Sequence, residues 1–273
     1  MSSASSSIEY NPRPFEGVDA ENNLVAMREI LPLATLKVTL TQEYGEKSIT
    51  LATILPSMAG AMRRQDGEIF VALQTITASG DISRDIASRI EKALELEPGE
   101  YYQQTDIPEP GIRLNDMVNE YGELTIHNVP DFWVTPEELE KEETQSAVND
   151  AGSQMIPTKE VEGHTGAYWC KMSREFMRWV RPEPTDQLLD ALARLRASRE
   201  IGFAGSKFAG VFRALGILIP VWELPRGTQA EDLVEELEEF EKKLDAALAN
   251  TEELTYEELR AREGIVSRQV MIR

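Results

Sequence analysis

The residues of this chain with the means to do chemistry fall in four places. The first is Gly202-Phe203-Ala204-Gly205-Ser206-Lys207. Glycines ahead of a helix expose backbone N–H groups, and a lysine adds positive charge. Gly205, Ser206, Lys207 and, six residues further on, Arg213 therefore form a candidate anion-binding set. The order is not that of a phosphate-cradling Walker loop, which needs Gly-Lys-[Ser/Thr] directly after a strand. The second place is Cys170 with His164, six residues apart. A thiol is a nucleophile only as the thiolate, and a cysteine beside Trp169 in a strand reads as a buried, inert one. His127 is the other histidine of two, too little material for a triad or a histidine-rich metal site. No catalytic residue, metal ligand set or cofactor is assigned.

The third place is Ser79-Gly80-Asp81-Ile82-Ser83-Arg84-Asp85, where Gly80 turns the chain, Asp81 or Ser83 caps a helix and Asp85 suits its dipole. The fourth is the stretch 229–249. Its carboxylates Glu231, Asp232, Glu235, Glu238 and Glu239 stand with Glu236, Glu241 and Asp245 against only Lys242 and Lys243, a wall that would dock a basic protein.

These groups must be held by regular elements. Ala34, Leu36, Val38 and Leu40 alternate with Thr35, Lys37 and Thr39, the pattern of a half-buried strand. A turn at Tyr44–Lys47 leads to a second strand, Ser48–Leu55. Leu24–Leu31 and Pro56–Arg64 read as short helices, Glu68–Thr77 as a strand, and Ile82, Ile86, Ile90 and Leu94 as one face of a helix ended by Pro98-Gly99. Glu123–Val129 reads as a strand. Thr135-Pro136-Glu137-Glu138 is a helix start, but 137–163 is rich in carboxylate and poor in large apolar residues, so 131–163 reads as a flexible acidic linker. A second hairpin, Ala167–Met172 and Glu175–Arg181, is followed by a helix at Asp186–Ser198, a short helix at Gly205–Leu215 and a strand at Gly216–Leu224. Thr228 and Glu231 read as the capping box of the helix 229–249. Thr255 and Glu258 cap a last helix closed by Gly264, ahead of a strand at Ile265–Ile272.

Two segments repeat. Met58-Ala59-Gly60-Ala61-Met62-Arg63 lies over Phe208-Ala209-Gly210-Val211-Phe212-Arg213, with Ile69–Leu73 over Leu218–Trp222 one gap later. The expected fold is therefore α+β: two tandem related halves, each hairpin–helix–strand–helix, with antiparallel or mixed sheets. The expected domains are a tail at 1–13, a first half at 14–130, the linker at 131–163 and a second half at 164–273.

The bulk composition narrows the function classes. Hydrophobic residues make up 41% of 273, enough for a packed core, and the net charge of −20 repels nucleic acid and anionic lipid. No apolar run approaches a membrane span, and the serine-rich N-terminus lacks the charged and apolar regions of a signal peptide. A single cysteine excludes an internal disulfide, which points to the cytoplasm. Direct nucleic-acid binding and membrane insertion are not expected; oligomerisation is left open.

Pro14-Phe15-Glu16-Gly17, Leu24-Val25-Ala26-Met27-Arg28-Glu29, Ser79–Asp85, Phe208–Arg213, Pro220-Val221-Trp222-Glu223-Leu224 and Arg268-Gln269-Val270 together resemble an uncharacterised actinobacterial domain family of unknown function. The resemblance runs from Pro14 to Arg273 and implies a cytoplasmic bacterial protein, but no reaction. Members sometimes carry preprotein translocase or topoisomerase labels, which the absent Walker loop and the acidic charge do not support. Members often begin with a basic tail, where this chain begins with a serine-rich one. The leading functional expectation is a non-catalytic binding or adaptor protein with an acidic docking surface. The alternative is an enzyme or sensor that binds an anionic small molecule between the halves.

Overall fold

A computed structural model describes residues 9–267 and 270–271. The chain divides into two compact units, Met1–Met155 and Ile156–Arg273. In the described residues of the first unit the elements run α1 (Glu21–Glu29), β1 (Ala34–Leu40), β2 (Ser48–Ala52), β3 (Ala61–Arg63), β4 (Ile69–Ala72), α2 (Ile82–Glu95), β5 (Tyr101–Tyr102), α3 (Leu114–Met117), β6 (Val118–Ile126), α4 (Pro136–Leu139) and α5 (Glu142–Ser153). The strands form one mixed sheet in the order β5-β3-β4-β2-β1-β6.

The alternation of β1 sets its two faces. Ala34, Leu36, Val38 and Leu40 are buried, while Thr35, Lys37 and Thr39 point to the other side. Helix α2 starts where Asp81 accepts a hydrogen bond from the Ser83 N–H at 3.1 Å, and it buries Ile86, Ile90 and Ala93. Part of the threonine face is covered by the 3-10 turn Asp131–Trp133. There Phe132 stacks on Phe70 at 6.1 Å, and the Trp133 indole donates to the Ile54 carbonyl at 3.0 Å.

The second unit contains β7 (Thr158–Glu160), β8 (Ala167–Lys171), β9 (Glu175–Trp179), α6 (Thr185–Ala197), β10 (Lys207–Ala214), β11 (Ile217–Glu223), α7 (Val234–Ala249), α8 (Tyr256–Val266) and β12 (Val270–Met271). Its sheet order is β12-β10-β11-β9-β8-β7. Trp169, Met177, Trp179 and Trp222 meet Leu188, Leu192, Leu237 and Phe240 of the helices in one core. Trp222 is its hub, 5.4 Å from Phe203 and from Phe240 and 5.5 Å from Phe208, with its indole N–H on the Ile201 carbonyl at 2.7 Å.

The α+β class and the mixed sheets agree with the sequence; the order within the halves differs. The segments expected as short helices at 56–64 and 205–215 are instead β3 and β10, each the first strand of a hairpin. Ser57 and Met58 have φ of 55° and 57°, which no α-helix accommodates. Leu215 and Gly216, with φ of 48° and 85°, form the tight turn between β10 and β11. The repeated residues keep one register: Ala61, Met62 and Arg63 face Val71, Phe70 and Ile69, and Val211, Phe212 and Arg213 face Pro220, Ile219 and Leu218. The hairpins enter their sheets differently, since β4 runs parallel to β2 while β11 runs antiparallel to β9. The reason is α6, which carries the chain back along the sheet before β10; β2 and β3 are joined by only a single 3-10 turn, Pro56–Met58.

The stretch read as a flexible linker holds α4, α5 and β7, and the boundary between the units falls after Met155. Helix α5 buries Val148 alone. It packs closely through Gly152, where an added Cβ would stand 2.6 Å from Val129 Cγ1, so it needs little apolar surface to dock. Helix α7 is preceded by a 3-10 turn, Ala230–Leu233, boxed by Gln229 and Asp232 rather than by Thr228 and Glu231. Thr255 and Glu258 do form a capping box, but α8 continues through Gly264. Of the expected last strand, Val270–Met271 pairs with β10; residues 268, 269, 272 and 273 lie outside the described residues.

Candidate functional site

The expected anion loop is not the start of a helix. Ala204 and Gly205 have φ of 47° and 70°, and the Ser206 N–H donates to the Phe203 carbonyl at 2.7 Å, so 203–206 is a tight reverse turn that delivers Lys207 into β10. Backbone donors at a helix N-terminus therefore play no part. What the turn does is place Lys207 on the rim of an open depression of about 280 Å³, lined by Arg174, Gly205, Lys207, Glu223, Leu224, Pro225 and Arg226. Three cations surround one carboxylate. Glu223 is committed to Arg174, and Lys207 and Arg226 have no ion-pair partner among the described residues. A concentration of positive charge in a chain of net charge −20 is a local feature with the sign for a small anion.

Arg213 is not part of this site. Lys207 is paired with Glu223 and Arg213 with Leu218, and Leu218 and Glu223 are an odd number of residues apart, so the two basic residues project from opposite faces. A spacing of six would have kept them on one face in a regular strand. The β-bulge between Phe208 and Gly210 inserts the residue that turns the strand over. Arg213 shares the face of Leu218 and Trp222, and its Nε has no hydrogen-bond partner among the described residues. Its counterpart Arg63 donates to the Leu96 carbonyl at 2.9 Å and closes the C-terminal end of α2.

The carboxylates read as a docking wall are largely occupied within their own unit. Glu231 pairs with Lys159 at 2.9 Å; Glu238 and Glu239 share Lys242 at 3.2 and 2.8 Å. Asp232 accepts from the Gln229 N–H at 2.8 Å. Glu235 is exposed and makes no salt bridge among the described residues. Cys170 is buried, and burial pushes its thiol pKa up. His164 is turned away to Glu241 Oε2 at 2.9 Å and the Val234 carbonyl at 3.0 Å, so the two do not form a nucleophile–base pair. Ser79–Asp85 works as a helix start: the Asp85 carboxylate accepts from the Ser79 N–H at 2.8 Å, and Asp81 holds Arg113 at 2.9 Å.

One further place was not legible in the sequence. In the first unit a hollow of about 280 Å³ lies on the threonine face of the sheet, lined by Thr35, Lys37, Thr50, Arg64, Glu68, Phe70, Glu123, Thr125 and Phe132. Beside it the Thr35 hydroxyl is 2.8 Å from His127 Nε2, and His127 Nδ1 is 3.1 Å from Asp131 Oδ1. No spacing rule could have found this, because Thr35 and His127 are 92 residues apart.

Among the described residues no group of three or more His, Cys, Asp or Glu is arranged to hold a metal ion, and no helix is long and apolar enough to cross a membrane. Residues 14–273 match the profile of one protein family. The chain belongs to a family of unknown function (DUF5926). No curated protein and no solved structure matches it.

Proposed function

We propose that this DUF5926 chain is a cytoplasmic bacterial binding protein that takes a small anion, a phosphate or carboxylate compound, in the Lys207 depression of its second unit. The observation that carries this reading is the rim itself, on which Lys207 and Arg226 stand without ion-pair partners beside Arg174. Unpaired cations around a concave surface gain most from a ligand that supplies the missing negative charge. Glu231, Glu238 and Glu239 are already engaged with Lys159 and Lys242, which supports this choice over a basic protein partner. The test is a thermal-shift series of the full chain with inorganic phosphate, pyrophosphate and citrate at low ionic strength. Stabilisation that rises with ligand charge is expected, with loss in Lys207→Ala and Arg226→Ala and retention in Arg213→Ala. No stabilisation by any of the three, or equal loss in Arg213→Ala, refutes it.

A further inference from the structure

The hollow of the first unit carries an arrangement that anion binding does not use. Thr35, Thr50 and Thr125 come from the neighbouring strands β1, β2 and β6, and the Phe70 and Phe132 rings form part of the wall. Thr35 lines this space and its hydroxyl is 2.8 Å from Nε2 of His127, whose side chain is only 17% exposed. The ring is fixed in place: its backbone N–H donates to the Leu33 carbonyl at 2.9 Å, and it rests on Phe132 at 4.8 Å between centroids. Asp131 Oδ1 is enclosed, has no hydrogen bond of good angle and stands 3.1 Å from Nδ1. A carboxylate there favours the tautomer with its proton on Nδ1, which leaves Nε2 as the acceptor of the Thr35 proton.

We propose that Thr35 is an activated hydroxyl, with His127 as its base and Asp131 as the group that orients the base, and that the hollow takes a small uncharged ester. A hydroxyl is a weak nucleophile until a base removes its proton as the new bond forms. The Thr35 oxygen adds to the ester carbonyl carbon while its proton passes to His127 Nε2. The carbonyl oxygen becomes negative near Lys37, which lines the hollow and has no ion-pair partner among the described residues. Arg64 does not serve there, because its guanidinium is bound to Asp66 and to the Phe132 and Val134 carbonyls. The bond to the leaving oxygen then breaks, and that oxygen takes the proton from His127. Water, deprotonated by the same nitrogen, cleaves the acyl-threonine, releases the acid and restores the hydroxyl. Ester and water become acid and alcohol, with no other reactant. Glu123, which makes no salt bridge among the described residues, disfavours an anionic substrate, while Glu68 is paired with Arg64 at 3.5 Å. The volume is at the small end of ligand pockets, which start near 300 Å³, so the acyl group is short.

The experiment uses the full chain with p-nitrophenyl acetate and, separately, with a fluorophosphonate probe, read by nitrophenolate release and by peptide mapping of the adduct. An adduct on Thr35 is expected, with ester turnover at least about 100-fold lower in Thr35→Ala and in His127→Gln, retained turnover in Thr35→Ser, and no change in the surface variant Lys92→Ala. Circular dichroism confirms folding, and Thr35→Ser with His127→Gln decides the matter if Thr35→Ala does not fold. Absence of a Thr35 adduct, or an adduct and turnover unaffected by His127→Gln, overturns the proposal.

Discussion

The anion site makes a prediction whose sign is unusual: removing the Arg174–Glu223 ion pair should improve binding. Glu223 stands in the depression bound to Arg174, so it neutralises one of the three rim cations and repels an incoming anion. The isosteric change Glu223→Gln removes that charge and frees Arg174. The pair is solvent-accessible, with side chains 51% and 30% exposed, so its loss should cost the fold at most about 1 kcal/mol. For the ligand, one unit charge near 4 Å is worth about 1 kcal/mol in a water-like dielectric. That corresponds to roughly a fivefold tighter Kd for inorganic phosphate. Calorimetric titration of the full chain in low salt measures it. The gain should shrink as salt rises and the Debye length falls from about 10 Å at 0.1 M to about 3 Å at 1 M. An unchanged or weakened Kd in folded Glu223→Gln would refute the charge argument, and with it the assignment of the depression as an anion site.

Three other outcomes follow from the packing and the titration behaviour. Trp222→Phe should destabilise the second unit by about 2–4 kcal/mol in denaturant unfolding, because it opens space beside three aromatic rings and leaves the Ile201 carbonyl unpaired. Native Cys170 should resist iodoacetamide at neutral pH and react once the chain is unfolded in urea, since burial holds the thiol protonated. Burial raises the Glu29 carboxyl pKa above its ordinary value, with Arg28 opposing. The folded chain therefore keeps that proton longer than the unfolded one, and the associated stability is complete below the unfolded pKa and lost as pH rises through the folded pKa. Relative to the wild type, Glu29→Gln should gain stability between pH 4 and pH 7 in urea titrations; a difference that does not change with pH would contradict this.

The amino-acid sequence by itself determined the elements whose signals are local. The period-two pattern of β1, the i+4 stripe of α2 with its Asp81 start and the Thr135 and Thr255 capping boxes all appear as read, because each depends on residues within a turn or two of one another. The segments matched in the sequence, 58–63 and 208–213, each contribute residues to the first strand of a hairpin, and the paired residues of the two hairpins correspond. Whether these residues form helix or strand was decided by pairing partners: β3 lies between β4 and β5, and β10 between β11 and β12, contacts that no short window contains. The sites depend on tertiary structure still more strongly. A single bulge in β10 sends Lys207 and Arg213 to opposite faces although their spacing suggests one. The antiparallel pairing of β1 with β6 sets Thr35 opposite Thr125, two residues before His127, and so brings that histidine to the Thr35 hydroxyl. Such contacts are fixed by strand register, a property of two distant segments together, so neither segment announces them alone.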